Sequence, residues 1–311
     1  MNRLVVSSSP HLKSHNSTSR IMLDVIISLL PPAIAGVIIF GISAFAVICV
    51  CVACAVLSEF IFNLIVKKEQ TVDDLSAVVT GFLLALNVRA DAPLWQCAIG
   101  AVFAIIVVKC LFGGLGCNFA NPAITARVFL VISFTSTLAG GAMPRFSSAP
   151  ELVSGATPLE LIGTSADLPS VLDMLLGLRA GAIGETCILA ILLGYLYLVL
   201  RGVIKFEVPL IFVGTVFLLS LIADSSAFIA LYQILSGGLM LGAVFMATDY
   251  VTTPITRSGR MIFAFGCGII TFLIRYFGSY PEGVSFAILL MNILSPYIEK
   301  WTAPKALGGK K

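Results

Sequence analysis

Long apolar runs dominate the chain, and short polar stretches separate them. Eight runs approach the roughly 20 residues that an α-helix needs to cross a bilayer. They are Met22 to Phe40, Ile42 to Val66, Trp95 to Phe112, Ala123 to Leu138, Ala182 to Leu200, Val208 to Ala223, Met261 to Phe277 and Val284 to Ile298. Two further runs, Leu75 to Val88 and Phe228 to Ala247, are interrupted by Gly, Asn or Thr and predict short or discontinuous helices. The pattern therefore predicts about ten transmembrane helices.

The composition supports this interpretation. Of the 311 residues, 59% are hydrophobic and only 11% are charged, whereas about 25% of the residues in a soluble domain are charged. The chain is therefore predicted to be an all-α integral membrane protein in contact with lipid. No feature indicates binding to nucleic acid.

Basic residues are distributed unevenly between the two faces of the predicted bundle. If the N-terminus is cytoplasmic, 15 of the 19 Lys and Arg, among them Lys109 and Arg127, fall on the cytoplasmic side. Such asymmetry is what the positive-inside rule produces. Both termini are therefore predicted to be cytoplasmic. The same orientation places the long loop 139–181 on the outer face.

The chain matches itself weakly when it is shifted by 161 residues. This shift places Gly81 on Gly242 and Pro93 on Pro254 without a gap. It predicts two five-helix repeats, 22–138 and 182–299, with tails at 1–21 and 300–311 and the outer loop 139–181 between them. An odd number of spans makes the second repeat inverted, and inverted repeats with broken helices commonly form sites near the middle of the membrane. Chance similarity between apolar segments is the alternative.

One short motif in the outer loop carries specific chemistry. Ser154, Gly155, Ala156 and Thr157 match Ser/Thr-Gly-Ala-Thr, a pattern on which FMN is attached covalently. The Thr hydroxyl forms a phosphodiester with the flavin phosphate, which requires an accessible Thr with small neighbours that allow close approach. The same Thr157, followed by Pro158 and by Glu160, is also typical of a helix N-cap with a capping box. The two interpretations are compatible.

A glycine-rich stretch from Gly113 to Ala123 closes one span and opens the next. Such a stretch frees backbone groups that protein, water or a ligand must satisfy. One interpretation is a tight turn capped by Asn. The other is a pocket in which the amides of Asn118 and Asn121 bind a heterocycle.

Acidic residues in or near the spans are candidates for an ion pathway. Asp249 lies at a break in a span and Glu185 near the outer end of another, where a carboxylate is costly unless it is paired or functional. Either residue is a candidate for Na⁺ or proton transfer, although Asp249 is also placed to cap a helix. Asp24, near a cytoplasmic end, is predicted to be solvated. Arg275 is predicted to pair with Glu282 across a short outer turn.

The eight Cys residues show no zinc-binding spacing, and no metal site is predicted. Most are interpreted as small apolar residues of the spans. Cys110 and Cys117 flank the glycine-rich stretch and are candidates for approaching a cluster shared with a partner. No P-loop or dinucleotide-binding glycine motif is present.

Six motifs in order resemble one family over nearly the whole chain. They are Ser8-Ser9-Pro10-His11, the Gly113 to Ala123 stretch, Ser154 to Glu160, Gly184-Glu185-Thr186, Met246 to Asp249 and Pro281-Glu282-Gly283. The chain resembles RnfD, a membrane component of the Rnf complex, which is an ion-translocating ferredoxin:NAD⁺ oxidoreductase. That family also includes NqrB, a component of the Na⁺-translocating NADH:quinone reductase. Tyr250 stands where many members have Pro after Met-Ala-Thr-Asp.

The resemblance implies an electron-transfer subunit of a bacterial cytoplasmic membrane complex, with no catalysis by the chain alone. It implies FMN on Thr157, attached by a separate flavin transferase, and a second, noncovalent flavin, riboflavin, near Asn118 and Asn121. The implied partners are an FMN-bearing outer subunit and iron–sulfur subunits in the membrane. It also implies a fold shared with urea channels.

Two other functions fit parts of the sequence. A solute channel or secondary transporter would use the broken helices as its pore, but would leave the motif at Thr157 without a role. A purely structural membrane subunit would use Thr157 only as a helix cap.

Overall fold

The computed structural model describes residues 17–138, 140–146, 157–162, 168–278 and 282–304. Within these ranges the regular structure is helical, apart from one isolated antiparallel bridge between Ala142 and Gly181. The first half contains α1 (Thr18–Phe40), α2 (Ile42–Val66), α3 (Ser76–Leu86), α4 (Leu94–Cys110), α5 (Pro122–Ser133) and α6 (Thr135–Leu138). Between the halves lie α7 (Pro158–Leu161) and α8 (Val171–Leu176). The second half contains α9 (Ile188–Leu200), α10 (Glu207–Asp224), α11 (Ala227–Leu235), α12 (Leu239–Met246), α13 (Arg257–Phe277) and α14 (Val284–Thr302).

Several of these helices have the length and apolarity of membrane spans. Among the described residues, α1, α2, α10 and α13 are long and apolar enough to cross a bilayer individually. Helices α11 and α12 meet the same test together, with a bend of 64° between them. Helices α3, α4, α5 and α9 are apolar but shorter. The described part of the chain is thus all-helical and has the apolar helices of a multi-pass membrane protein. The predicted break within Phe228 to Ala247 is confirmed.

Some helix boundaries differ from the predicted runs. The run Ala182 to Leu200 becomes helical only at Ile188, because the residues before it bond to the end of α3. Ile183 N–H donates to the Val88 carbonyl at 3.1 Å and Gly184 N–H to the Leu86 carbonyl at 2.8 Å. The later part of α4, Phe103–Cys110, is a π-helix. Hydropathy predicts how far an apolar segment extends. It does not predict where the backbone of that segment forms hydrogen bonds to another element instead of continuing a helix.

The two ends of the bundle are distinguished by the segments that meet there. At one end, here called the tail end, α1 begins and Ser19 donates a hydrogen bond to the Asp73 carbonyl at 3.2 Å. At the other end, here called the loop end, α1 finishes and Arg145 N–H donates to the Ile39 carbonyl at 3.0 Å. The described residues 140–146 of the loop are therefore on the side opposite the start of α1.

Helices α1 and α9, one from each half of the chain, pack closely through small residues. A Cβ atom on Gly194 would lie 2.2 Å from the Ser28 carbonyl oxygen, and one on Gly36 would lie 2.5 Å from the Ile183 carbonyl oxygen. Glycine lets backbones approach in this way in membrane proteins. Any larger residue at either position would push the two segments apart.

The prediction that Asp24 is solvated is wrong. Asp24 is 7% exposed, and its carboxylate accepts hydrogen bonds from Tyr197 Oη at 2.8 Å and from Arg201 Nη2 at 3.1 Å. The carboxylate lies on the face of α1 that contacts α9, so the packing of the two helices removes it from water. Asp24 therefore joins the two halves at the tail end.

Candidate functional site

Thr157 lies immediately before α7 and is 4% exposed. The predicted helix start is confirmed. Thr157 is the N-cap, Pro158 is the first helical residue, and Glu160 Oε2 accepts a hydrogen bond from Thr157 N–H at 2.9 Å. Thr157 and Glu160 have the geometry of a capping box, but the hydrogen bond of Glu160 N–H goes to the Thr157 carbonyl, at 2.9 Å, and the Thr157 hydroxyl makes none with the described residues.

The Thr157 hydroxyl has no hydrogen-bond partner among the described residues. A buried hydroxyl without a partner is unfavourable by about 1–3 kcal/mol, so an additional group at this oxygen would remove a cost. The rest of the predicted motif, Ser154, Gly155 and Ala156, lies outside the described residues. Helix α7 itself packs against α11.

Three of the predicted site residues line one cavity at the tail end, here called the tail-end cavity. Asn118, Asn121 and Asp249 lie in its wall with residues from α1, α3, α4 and the connection after α9. Its empty volume is about 770 Å³, part of which is open to solvent. Ligand sites commonly have mostly apolar walls with a few polar groups. The wall of this cavity has that character.

The two asparagines have different roles in this wall. Asn121 is the N-cap of α5, and its Oδ1 accepts a hydrogen bond from Ala123 N–H at 3.0 Å. The predicted Asn cap is therefore confirmed for Asn121. Asn118 Oδ1 is buried and has no partner within the described residues. Asn118 is thus the better placed of the two to accept a hydrogen bond from a ligand.

The Asp249 carboxylate accepts hydrogen bonds from residues of its own turn. Its Oδ1 accepts a hydrogen bond from Val251 N–H at 3.3 Å and its Oδ2 one from Thr252 Oγ1 at 3.0 Å. These bonds hold the irregular connection between α12 and α13. Asp249 therefore acts as a local cap as well as a polar residue of the cavity wall. Tyr250, beside it, is 54% exposed.

Glu185 lies away from this cavity, in a group of buried and half-buried ionisable residues at the loop end. This group, here called the loop-end charge cluster, consists of Arg127, Arg179, Glu185, Arg275 and Glu282. Glu185 is 2% exposed, and its Oε1 accepts a hydrogen bond from Ala182 N–H at 2.9 Å. Its Oε2 has no partner within the described ranges. The structure thus separates the two predicted ion-pathway residues.

Two predictions for this cluster are wrong. Arg127 is predicted at a cytoplasmic end, but it is buried and forms an ion pair with Glu282. Arg275 is predicted to pair with Glu282, but its Nε donates only to the Glu282 backbone carbonyl, at 3.4 Å. Glu282 lies just before α14, which packs against both α5 and α13, and its carboxylate pairs with Arg127 of α5.

Arg179 lies in the connection before α9 and is 3% exposed. Its Nη2 donates to the Glu185 carbonyl at 2.7 Å. Burial lowers the pKa of the Arg179 guanidinium, and the carboxylates of Glu185 and Glu282 act in the opposite direction. The guanidinium stays charged at neutral pH because the ordinary pKa of Arg is far above 7.

An ion pair beside the tail-end cavity was not predicted from the sequence. Lys109 Nζ donates to both carboxylate oxygens of Glu59 at 2.8 Å and to Ser76 Oγ at 2.5 Å, and Lys109 is 2% exposed. Thr71 Oγ1 donates a further hydrogen bond to Glu59 Oε1 at 2.6 Å. The available signal was a Lys and a Glu inside two apolar runs, where an ionisable residue is rarely accidental.

The short helices α3 and α12 meet between the two ends of the bundle. Asn87, at the end of α3, donates to Met246 Sδ at 3.6 Å and accepts a hydrogen bond from Arg127 Nη1 at 3.5 Å. Phe245, next to Met246, lines the tail-end cavity. Protein atoms therefore occupy the space between this cavity and the Arg127–Glu282 pair.

The described part of the chain contains no group of three or more His, Cys, Asp or Glu that could hold a metal ion. Cys110 is buried and Cys117 is exposed, and both are free thiols. The interpretation of these two thiols as neighbours of a partner's cluster stays a prediction.

Comparison with known proteins gives full-length similarity. The model of the NQR2, RnfD, RnfE family matches residues 5–308. The D component of the Na⁺-translocating ferredoxin:NAD⁺ oxidoreductase complex of Acetobacterium woodii is 44% identical over 312 residues, which cover 99% of this chain and 96% of that protein. The D component of the proton-translocating ferredoxin:NAD⁺ oxidoreductase complex of Clostridium ljungdahlii is 38% identical over 324 residues, with 100% and 98% covered. The D component of the ion-translocating oxidoreductase complex of Stutzerimonas stutzeri is 38% identical over 328 residues, with 94% and 93% covered.

Proposed function

The chain belongs to the NQR2, RnfD, RnfE family, and we propose that it is the RnfD component of an Rnf complex that transfers electrons between ferredoxin and NAD⁺. In this role it relays electrons through FMN bound covalently to Thr157 and through a second flavin, and the transfer is coupled to the transport of Na⁺ or H⁺. The chain performs this function only with its partners and has no catalytic residue of its own.

One observation carries the flavin proposal: the Thr157 hydroxyl is buried and unpartnered among the described residues, although Thr157 caps a helix. The cap is completed by Glu160 through the Thr157 N–H, so esterification of the hydroxyl would break no hydrogen bond in the described structure. The oxygen therefore fits a phosphodiester. A bound flavin supplies one- and two-electron transfer, and the surrounding protein sets its potential.

The test is whether flavin fluorescence survives denaturation. The chain, purified from membranes of cells that flavinylate other proteins, is run on a denaturing gel under ultraviolet light. A fluorescent band at its mass is expected. A dark band would mean that Thr157 only caps helix α7. It would then favour a solute channel or a purely structural subunit.

We also propose that the tail-end cavity holds the second flavin, riboflavin. The Asn118 Oδ1 acceptor has no partner in the described structure, and the flavin ring offers an N–H donor to such a group. Most of the remaining wall is apolar, with residues from α1, α3, α9, the connection after α9 and α12, which suits a flat aromatic ring. Asn121 would shape the wall through its cap on α5.

An Asn118→Ala chain is expected to bind riboflavin about fivefold more weakly, because one hydrogen bond contributes roughly 1 kcal/mol. Riboflavin released by denaturation, measured per chain by chromatography after equilibration at several riboflavin concentrations, checks this. Asn63→Ala is the matched control, since the Asn63 amide bonds Thr71 at 3.0 Å and not the cavity. Equal retention of riboflavin by the Asn118→Ala chain and the wild type would contradict the assignment.

The architecture proposed for this function is two inverted five-helix repeats, as in urea channels. The offset of 161 residues aligns α1 with α9, α2 with α10, α3 with α12, α4 with α13 and α5 with α14. Two of these equivalent pairs, α1 with α9 and α5 with α14, pack directly against each other. Contacts between equivalent helices are what a two-fold axis through the bundle would produce, and they support the repeat boundaries 22–138 and 182–299.

The partners and the cellular location are proposed from the family to which the chain belongs. The partners proposed are the other Rnf subunits, including an FMN-bearing outer subunit and iron–sulfur membrane subunits, together with a flavin transferase. The location proposed is the bacterial cytoplasmic membrane, with both termini cytoplasmic and Thr157 on the outer face. The A. woodii and C. ljungdahlii relatives are named for different ions, and Asp249 and Glu185 are the candidate ion-pathway residues.

The channel function has less support. The contact of Asn87 with Met246 and with Arg127 fills the space that a continuous pore would need. A buried guanidinium at this point would also repel a cation. The electron-relay function requires no such pore.

A further inference from the structure

Two guanidinium groups of the loop-end charge cluster have no carboxylate within hydrogen-bond distance among the described residues. Arg275 Nη1 donates to the Gln233 carbonyl at 2.5 Å and Nη2 donates to the Ser236 carbonyl at 3.2 Å. Arg179 likewise donates to the backbone carbonyls of Glu185 and Thr186. These neutral acceptors satisfy the hydrogen bonds but do not neutralise the charge.

The cluster as a whole carries an excess of positive charge. Its three guanidinium groups face two carboxylates, and within the described structure only Arg127 is directly paired, with Glu282. Charges removed from water without a counter-charge are strongly unfavourable. An environment of this kind stabilises any negative charge that is brought near it, because the field is little screened by water.

The excess charge lies beside the helix that begins at Thr157. Gly237, in the bend between α11 and α12, is the point of contact: a Cβ atom there would lie 3.3 Å from Arg275 Nη2, 3.8 Å from Leu159 Cδ2 and 3.9 Å from Glu282 Cγ. The Glu282 carboxylate is paired with Arg127, so among the described residues Arg275 is the unpaired charge at this point. Leu159 is the second residue of α7. Arg275 Nη2 and the start of α7 therefore border the same glycine.

We propose that the loop-end charge cluster, through Arg275, provides the positive field that raises the reduction potential of the flavin on Thr157. This inference rests on the proposed function. Reduction adds negative charge to a flavin, and a fixed cation in a poorly screened site favours that change. Arg275 is thus a tuning residue that acts through its charge and forms no bond with the reacting atoms.

Variants that remove or keep the charge at Arg275 and Glu282 test the proposal. The full-length chain, co-produced with a flavin transferase and purified in detergent, is titrated by spectroelectrochemistry. The signal of a Thr157→Ala chain, which has only noncovalent flavin, is subtracted. Arg275→Gln is expected to lower the potential of the covalent flavin, whereas Arg275→Lys, which keeps the charge, is expected to stay near the wild-type value. Glu282→Gln removes a negative charge from the same cluster and is expected to raise the potential.

The opposite signs separate an electrostatic role from a structural one. Equal potentials in all four chains would overturn the inference and leave the flavin assignment intact. Shifts in the same direction for Arg275→Gln and Glu282→Gln would also overturn it, because they would reflect disturbed packing. If Arg275→Gln does not fold, Glu282→Gln still decides the question, because an unchanged or lowered potential in that chain would overturn the inference. A wild-type chain without covalent flavin would overturn both the inference and the proposed function.

Discussion

A Thr157→Ala chain is expected to reach the membrane at the wild-type level and to carry no covalent flavin. Its rate of ferredoxin-dependent NAD⁺ reduction is expected to fall more than about tenfold. The expected loss is large because, under the proposed function, an electron relay that lacks one carrier has no substitute for it. The fold should survive, since the N-cap hydrogen bond is made by Thr157 N–H to Glu160 and not by the hydroxyl. Gel fluorescence and activity of washed membranes from the same cells measure both effects.

The matched control is Thr164→Ala, which removes another Thr from the same loop. It should keep both fluorescence and activity. Covalent fluorescence that persists in Thr157→Ala would show that the flavin is attached elsewhere. Full activity without covalent flavin would remove Thr157 from the electron path.

The second large effect is expected on stability. A Lys109→Met chain leaves the buried Glu59 carboxylate without its cation, and breaking a buried pair in this way costs about 3–5 kcal/mol. Among the described residues, Glu59 would keep only the hydrogen bond from Thr71. Unfolding of the purified chain in mixed micelles, followed by circular dichroism as the denaturing detergent is increased, measures the free energy of unfolding.

The double variant Glu59→Gln/Lys109→Met is expected to be less destabilised than the two single variants summed, because neither charge is left alone. Arg257→Met provides the comparison, since Arg257 pairs with Glu207 through a side chain that is 71% exposed, and such pairs contribute about 0–1 kcal/mol. A Lys109→Met chain as stable as Arg257→Met would show that the buried pair does not hold the fold.

The sequence predicted the helical segments well because a bilayer admits few backbone structures. The interruption of Phe228 to Ala247 was also readable, since Ser-Gly-Gly cannot be matched to a regular apolar helix. The start of α9 at Ile188 was not readable. It depends on hydrogen bonds between residues 183–184 and the end of α3, which only the folded chain brings together.

Within the candidate site, local chemistry was predictable and long-range pairing was not. Thr157 and Asn121 were recognised as caps because a cap is defined by residues two or three positions away. Lys109 and Glu59 are separated by 50 residues, and Arg127 and Glu282 by 155. A charged residue in an apolar run shows that a partner must exist but does not say which one. The assignment of Arg275 to Glu282 failed for this reason.

The contact between α1 and α9 has a consequence for how the protein is made. Asp24 leaves the ribosome long before its partners, because Tyr197 and Arg201 follow 173 and 177 residues later. At about 5–20 residues per second, the interval is roughly 10–35 s. Throughout that time the first helix of the nascent chain holds a carboxylate without these partners and a glycine face that has not met its neighbour. The fraction of chains that escapes degradation therefore depends on how quickly the second half is translated and inserted.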